Sequence, residues 1–162
     1  MQDLNDLVLP GHGFQLIGEA NDINNKGQIV AIGYTDISRG IYHSVLLNPV
    51  AFEVVIDIKP GSHPNSINLE SNGVVPVAIL TIADFDASTI DPATVKFAGA
   101  SPIKRTMVDV DQDGYIDMLL YFDIQELNLE ANSTEATLTG MTDDGVEIVG
   151  TDSVKIVTRG KK

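Results

Sequence analysis

The chain has no cysteine and no tryptophan, and only four tyrosines and five phenylalanines in 162 residues. The absence of cysteine removes disulfide frameworks, thiol catalysis and cysteine-bound zinc together, and leaves the cellular compartment open. The shortage of aromatics removes the stacking platforms that a glycosidase cleft ordinarily uses. Tyr34, Tyr42 and Tyr115 are left as the candidates for stacking on a sugar ring. Cations are also scarce: ten Lys and Arg stand against 23 Asp and Glu, a formal net charge of -13. Such a surface repels phosphate backbones and anionic headgroups, so the expectation is no nucleic acid and no membrane surface as partner.

Long apolar runs are missing too. Gly73 to Ile82 is interrupted by Pro76 and is about half of the ~20 residues a membrane helix needs, so no membrane insertion is expected. Met1 to Leu9 is acidic and lacks the basic start, apolar middle and small-residue cleavage site of an export signal. An exported native protein would be represented here by a mature or truncated piece. Signatures of catalysis are equally scarce. His12, His43 and His63 have no paired-ligand spacing, and neither a Gly-x-Ser-x-Gly elbow nor a phosphate-cradling glycine loop occurs. The chain is therefore read as a non-enzyme.

Short β-branched runs separated by Gly, Pro, Asn and Asp recur throughout, with little helical periodicity, which predicts an all-β protein. Glu53–Ile58, Val74–Ile82, Val95–Ala98, Thr106–Val110, Met118–Ile124, Thr134–Thr142, Val146–Val149 and Ser153–Val157 all read as strands. Their number and spacing predict an Ig-like antiparallel β-sandwich. Asn72-Gly73 and Asp144-Gly145 are predicted as tight hairpins, with Thr142 to Gly145 as a plain turn. Asp91-Pro92 reads as a turn start, with one short helical turn within Ala83–Thr94, and Pro60-Gly61 as the end of the first strand.

A composition change near Asn48-Pro49 predicts two parts, residues 1–49 and 50–162. In the first, Ala20–Val30 reads as strand, turn, strand, with Tyr42–Leu47 as a third strand. Three strands make a sheet too small to be stable alone, so a small incomplete β-repeat is expected, propeller-blade-like or a β-meander.

Asp22-Ile-Asn-Asn-Lys-Gly-Gln-Ile-Val-Ala, with Asp3-Leu4-Asn5-Asp6-Leu7 before it and Tyr42-His43-Ser44-Val45-Leu46-Leu47 after it, resembles one unit of the bacterial extracellular HAF repeats. His43-Ser44-Val45 stands where that family has His-Ala-Phe. The resemblance implies that this unit is the last of a longer tandem array, with further repeats of the full-length chain among its partners, and the unit is expected to pack on the second part or to remain partly frayed. Val55-Ile-Asp-Ile-Lys-Pro-Gly-Ser62, Pro64-Asn-Ser-Ile-Asn68, Pro76-Val-Ala-Ile-Leu80, Asp109–Asp117 and Asp152-Ser-Val-Lys-Ile-Val157 together resemble a second bacterial module. That module recurs in large secreted or surface-anchored proteins without an assigned catalytic activity. Both resemblances imply an extracellular or cell-surface location.

The segment with the clearest chemistry is Asp109-Val-Asp-Gln-Asp-Gly-Tyr-Ile-Asp117. Calcium takes six to eight hard oxygen ligands, and a compact loop supplies them from carboxylates at alternate positions. Asp109, Asp111 and Asp113 have that spacing, Gly114 permits the sharp turn, the Tyr115 carbonyl is a backbone ligand candidate, and Asp117 holds the ninth position. Leu120 occupies the twelfth position, where a helix-flanked calcium hand has glutamate, and the flanks read as strands. The loop is more similar to the strand-flanked Asp-x-Asp-x-Asp-Gly loops of integrin-type propellers and thrombospondin type 3 repeats, which implies a structural Ca²⁺. An acidic turn without an ion leaves four like charges within nine residues to repel one another. Asp84, Asp86, Asp91, Asn65 and Asn68 are further candidates, with backbone capping the expectation for the two asparagines.

The combined expectation is a non-catalytic extracellular calcium-binding module, structural or adhesive, whose partner is an extracellular protein or glycan. The alternative is a carbohydrate-binding accessory module of a larger secreted protein.

Overall fold

Alternation of period two puts Val75, Val77 and Ile79 on one side of a strand and Met118, Leu120 and Phe122 on one side of another, and all six are buried. The two strands pair antiparallel with Ile79 opposite Met118, Val77 opposite Leu120 and Val75 opposite Phe122. In this computed structural model, which describes residues 3–6, 8, 11–24, 27–48 and 50–157, those strands lie at the centre of the larger of two units. The chain divides into Met1–Val50 and Ala51–Lys162.

In the first unit, β1 (Leu16–Ile23), β2 (Ile29–Asp36) and β3 (Ile41–Leu47) form an antiparallel meander in chain order. Among the described residues, its buried hydrophobic side chains are Ile17 and Ala31. The backbone of Ile17 is gripped by one side chain: Asn5 Oδ1 accepts from its N–H at 2.7 Å and Asn5 Nδ2 donates to its carbonyl at 2.9 Å. Gly33 leaves room for Phe14, since a Cβ there would lie 2.7 Å from the ring. Asn25, Lys26 and Pro49, on which part of the predicted turn and boundary fall, lie outside the described residues.

The second unit contains β4 (Phe52–Glu53), β5 (Ile56–Ile58), β6 (Ser66–Ile67), β7 (Val74–Ile79), β8 (Ile90–Phe97), β9 (Pro102–Val108), β10 (Asp117–Asp123), β11 (Glu135–Thr142), β12 (Glu147–Ser153) and β13 (Lys155–Ile156). One sheet runs β5-β7-β10-β9 and the other β4-β12-β11-β8, with β6 and β13 as a separate parallel pair. Lettering β5 and β7 to β12 in chain order as A to G gives ABED on one sheet and CFG on the other, the immunoglobulin constant-type arrangement. β4 adds to it by pairing parallel with β12. The facing sides share one apolar core, across which the Phe97 and Phe122 rings meet at 5.3 Å.

Three local expectations are corrected. Glu53–Ile58 is not one strand: β4 belongs to one sheet and β5 to the other. The chain crosses between them over Gly150, where a Cβ would stand 2.7 Å from Ile56 Cγ2 and 2.8 Å from the Val54 carbonyl oxygen. Asn72-Gly73 is not a hairpin, because β6 pairs with β13 and β7 with β5; Ser71 Oγ instead accepts from Gly73 N–H at 3.2 Å. Asp91-Pro92 lies inside β8, and the short 3₁₀ turn is confined to Ala87–Thr89. β8 is an edge strand, where proline's missing N–H is tolerated. The Asp144-Gly145 hairpin is present between β11 and β12, with Gly145 at φ 81°.

Candidate metal centre

The Asp109–Asp117 segment joins β9 to β10, which pair antiparallel with Val108 opposite Asp117, so the loop returns onto its own starting point. Two of the alternate aspartates, Asp111 and Asp113, fold it locally by accepting from an N–H two residues on, the habit that makes Asp a turn former. Asp111 Oδ1 accepts from Asp113 N–H at 3.3 Å and Asp113 Oδ1 from Tyr115 N–H at 2.8 Å. Asp109 Oδ2 reaches further and accepts from Gly114 N–H at 3.1 Å. Gln112 and Gly114 have positive φ values of 65° and 95°, which turn the chain back.

Asp117 is fully buried, and both of its oxygens hold backbone. Oδ1 accepts from Thr81 N–H and Oδ2 from Val110 N–H, each at 2.8 Å. The carboxylate thus closes the loop on itself and ties it to the end of β7. Each oxygen retains a further lone pair for another partner.

Asp109, Asp111 and Asp117 each bring one carboxylate oxygen to within 4.8 Å of the others. Oxygens on opposite sides of a shared Ca²⁺, each about 2.3–2.6 Å from it, are about 4.6–5.2 Å apart, so the trio is compact enough for all three to reach one such ion. Asp109 Oδ1 is buried and has no hydrogen-bond partner. A buried charged oxygen left unpaired is costly, and a cation bound there would offset that cost. Among the described residues no cationic side chain pairs with these carboxylates; the ion pair is Arg39 with Asp36, in the first unit.

The electrostatics carry the mark of this crowding. The Asp111 carboxyl is held above its ordinary range by desolvation and then by the charges of Asp113, Asp117 and Asp109, against the lowering effect of the Asp113 N–H. Asp57, on β5, is pushed up by burial, by Asp152 and by Asp111. The negative potential of the loop therefore reaches a strand that its local sequence does not indicate.

Of the predicted loop residues, Asp109, Asp111 and Asp117 converge, whereas Asp113 lies outside the trio and Tyr115, whose backbone carbonyl is the predicted ligand, is half exposed. Leu120 is buried in the core and has no part in the loop. Asp86 caps the 3₁₀ turn by accepting from Ser88 N–H, Asp91 accepts from Ala93 N–H, and Asp84 is exposed. Asn68 accepts from Glu70 N–H at 3.0 Å. Asn65 donates to Asp152 Oδ2 at 2.9 Å and to the Ser153 carbonyl at 3.0 Å, and Asp152 Oδ2 also accepts from Ile58 N–H. Thr81 is the participant that sequence reading misses. No family model, curated protein or solved structure matches the chain.

Proposed function

We propose that the second unit is a calcium-stabilised β-sandwich module that acts by binding or by structure, with no catalytic role, and that it works outside the cell. The observation that carries this reading is the buried, unpartnered Oδ1 of Asp109, a residue whose carboxylate converges with those of Asp111 and Asp117. Three converging carboxylates without a paired cation repel one another when ionised, and a hard divalent ion turns that repulsion into coordination. Calcium suits the loop better than magnesium, which demands tighter octahedral geometry and retains more water. Asp109 Oδ1, Asp111 and Asp117 are the protein ligands in this reading, with Asp113 and the Tyr115 carbonyl as the loop's remaining oxygen sources. The ion's task is to brace the β9–β10 connection. The extracellular placement draws support from the family resemblances. Calorimetric titration of the intact chain with CaCl₂ tests the assignment. One saturable site that is lost in Asp111→Ala is expected, and heats indistinguishable from dilution overturn it.

A further inference from the structure

Thr81 lies two residues beyond the end of β7 and is buried. Its backbone N–H and its side-chain hydroxyl together make three hydrogen bonds. The N–H donates to Asp117 Oδ1 at 2.8 Å, the hydroxyl donates to the Ile116 carbonyl at 2.7 Å, and the same hydroxyl accepts from Ala87 N–H at 3.0 Å. Ile116 and Asp117 are the last residues of the acidic loop, while Ala87 opens the 3₁₀ turn that leads into β8. One side chain thus joins the loop to the crossover between the two sheets. The crossover is itself tightly folded: Ile82 and Phe85 exchange backbone hydrogen bonds at 2.8 and 3.1 Å, and Ala87 is fully buried.

We propose that Thr81 is a positioning residue of the cation loop, and that it couples ion occupancy to the folding of the 81–89 crossover. The inference rests on the calcium reading above. Thr81 is not a ligand, because its hydroxyl already donates to Ile116 and accepts from Ala87. Its effect is to fix Asp117 and the loop end before an ion arrives, which removes ordering cost from the binding step. Coupling of this kind is reciprocal: the factor by which the clamp raises ion affinity is the factor by which the ion strengthens the clamp. The Ala87 amide, whose acceptor is the Thr81 hydroxyl, reports on the clamp directly.

The test combines amide exchange of the intact chain, with Ca²⁺ saturating or removed, and calcium titration of folded Thr81→Val and Thr81→Ser. Calcium is expected to slow exchange at Ala87 about tenfold. Thr81→Val, which keeps the backbone N–H but loses the hydroxyl, is expected to weaken calcium binding about tenfold, with Thr81→Ser close to wild type. Calcium binding with no change at Ala87 overturns the coupling and leaves the calcium assignment standing. So does a Thr81→Val protein with lowered melting temperature but wild-type affinity, the result of a merely structural threonine. A wild-type chain that binds no calcium overturns both. Should Thr81→Val fail to fold, wild-type exchange at Ala87 decides alone.

Discussion

Val110 N–H donates to Asp117 Oδ2 at 2.8 Å, so the second residue of the acidic loop is fastened to its last carboxylate. Asp117 therefore has two duties. It holds backbone through one lone pair of each oxygen, and it faces Asp109 and Asp111 with what remains.

Asp117→Asn separates these duties. An amide cannot accept from both Thr81 N–H and Val110 N–H, because one of its two terminal atoms is a donor. A buried donor left facing a donor costs about 1–3 kcal/mol. The variant should lose about that much stability by chemical denaturation even without calcium, and unchanged calcium-free stability would contradict the structural duty.

Asp109→Asn should behave in the opposite way. It removes the charge from the buried oxygen that has no partner, so the calcium-free protein should melt no lower than wild type. Its stabilisation by calcium should shrink sharply. A variant that melts lower without calcium yet keeps the full calcium response is incompatible with Asp109 as a ligand.

Much of the loop was legible because its residues are contiguous: alternate aspartates and a following glycine announce the turn wherever they occur. Thr81 was not legible, since it meets Asp117 across 36 residues of sequence and only the β7–β10 pairing brings them together. The same distinction applies to the fold. Alternation in Val74–Ile79 and Met118–Phe122 marks strands with a buried side. No local signal divides Glu53–Ile58 between two sheets, which depends on the missing side chain at the distant Gly150. Asp91-Pro92 has turn chemistry, and an edge position in the sheet overrides it.

Gly150→Ala tests that crossing. Its methyl would meet Ile56 and the Val54 carbonyl at 2.7 and 2.8 Å, and backbone cannot yield as a flexible side-chain tip can. A loss of about 1–3 kcal/mol is expected from overpacking, measured by denaturant unfolding. A neutral result would show that β4 and β5 can separate from β12 at little cost.

The pH dependence follows from Asp111 and Asp57, both raised above the ordinary 3.8. A carboxyl with a higher pKa folded than unfolded adds stability below its unfolded value and loses it as pH rises through its folded value. Asp86, lowered by its hydrogen bonds to Ser88, acts in the other direction and loses its contribution as pH falls. Asp111→Asn should therefore gain stability relative to calcium-free wild type as pH rises from about 4 to 7. A constant difference between the two proteins across that range would contradict the raised Asp111.

The most direct measurement is thermal unfolding of the intact chain in excess calcium and in excess chelator at neutral pH. An ion bound only by the folded state at a hundred times its Kd adds about 2.7 kcal/mol. The second-unit transition should move up by several degrees, and the shift should vanish in Asp111→Ala. Superimposable curves in calcium and chelator would mean that Asp109, Asp111 and Asp117 converge without holding this ion.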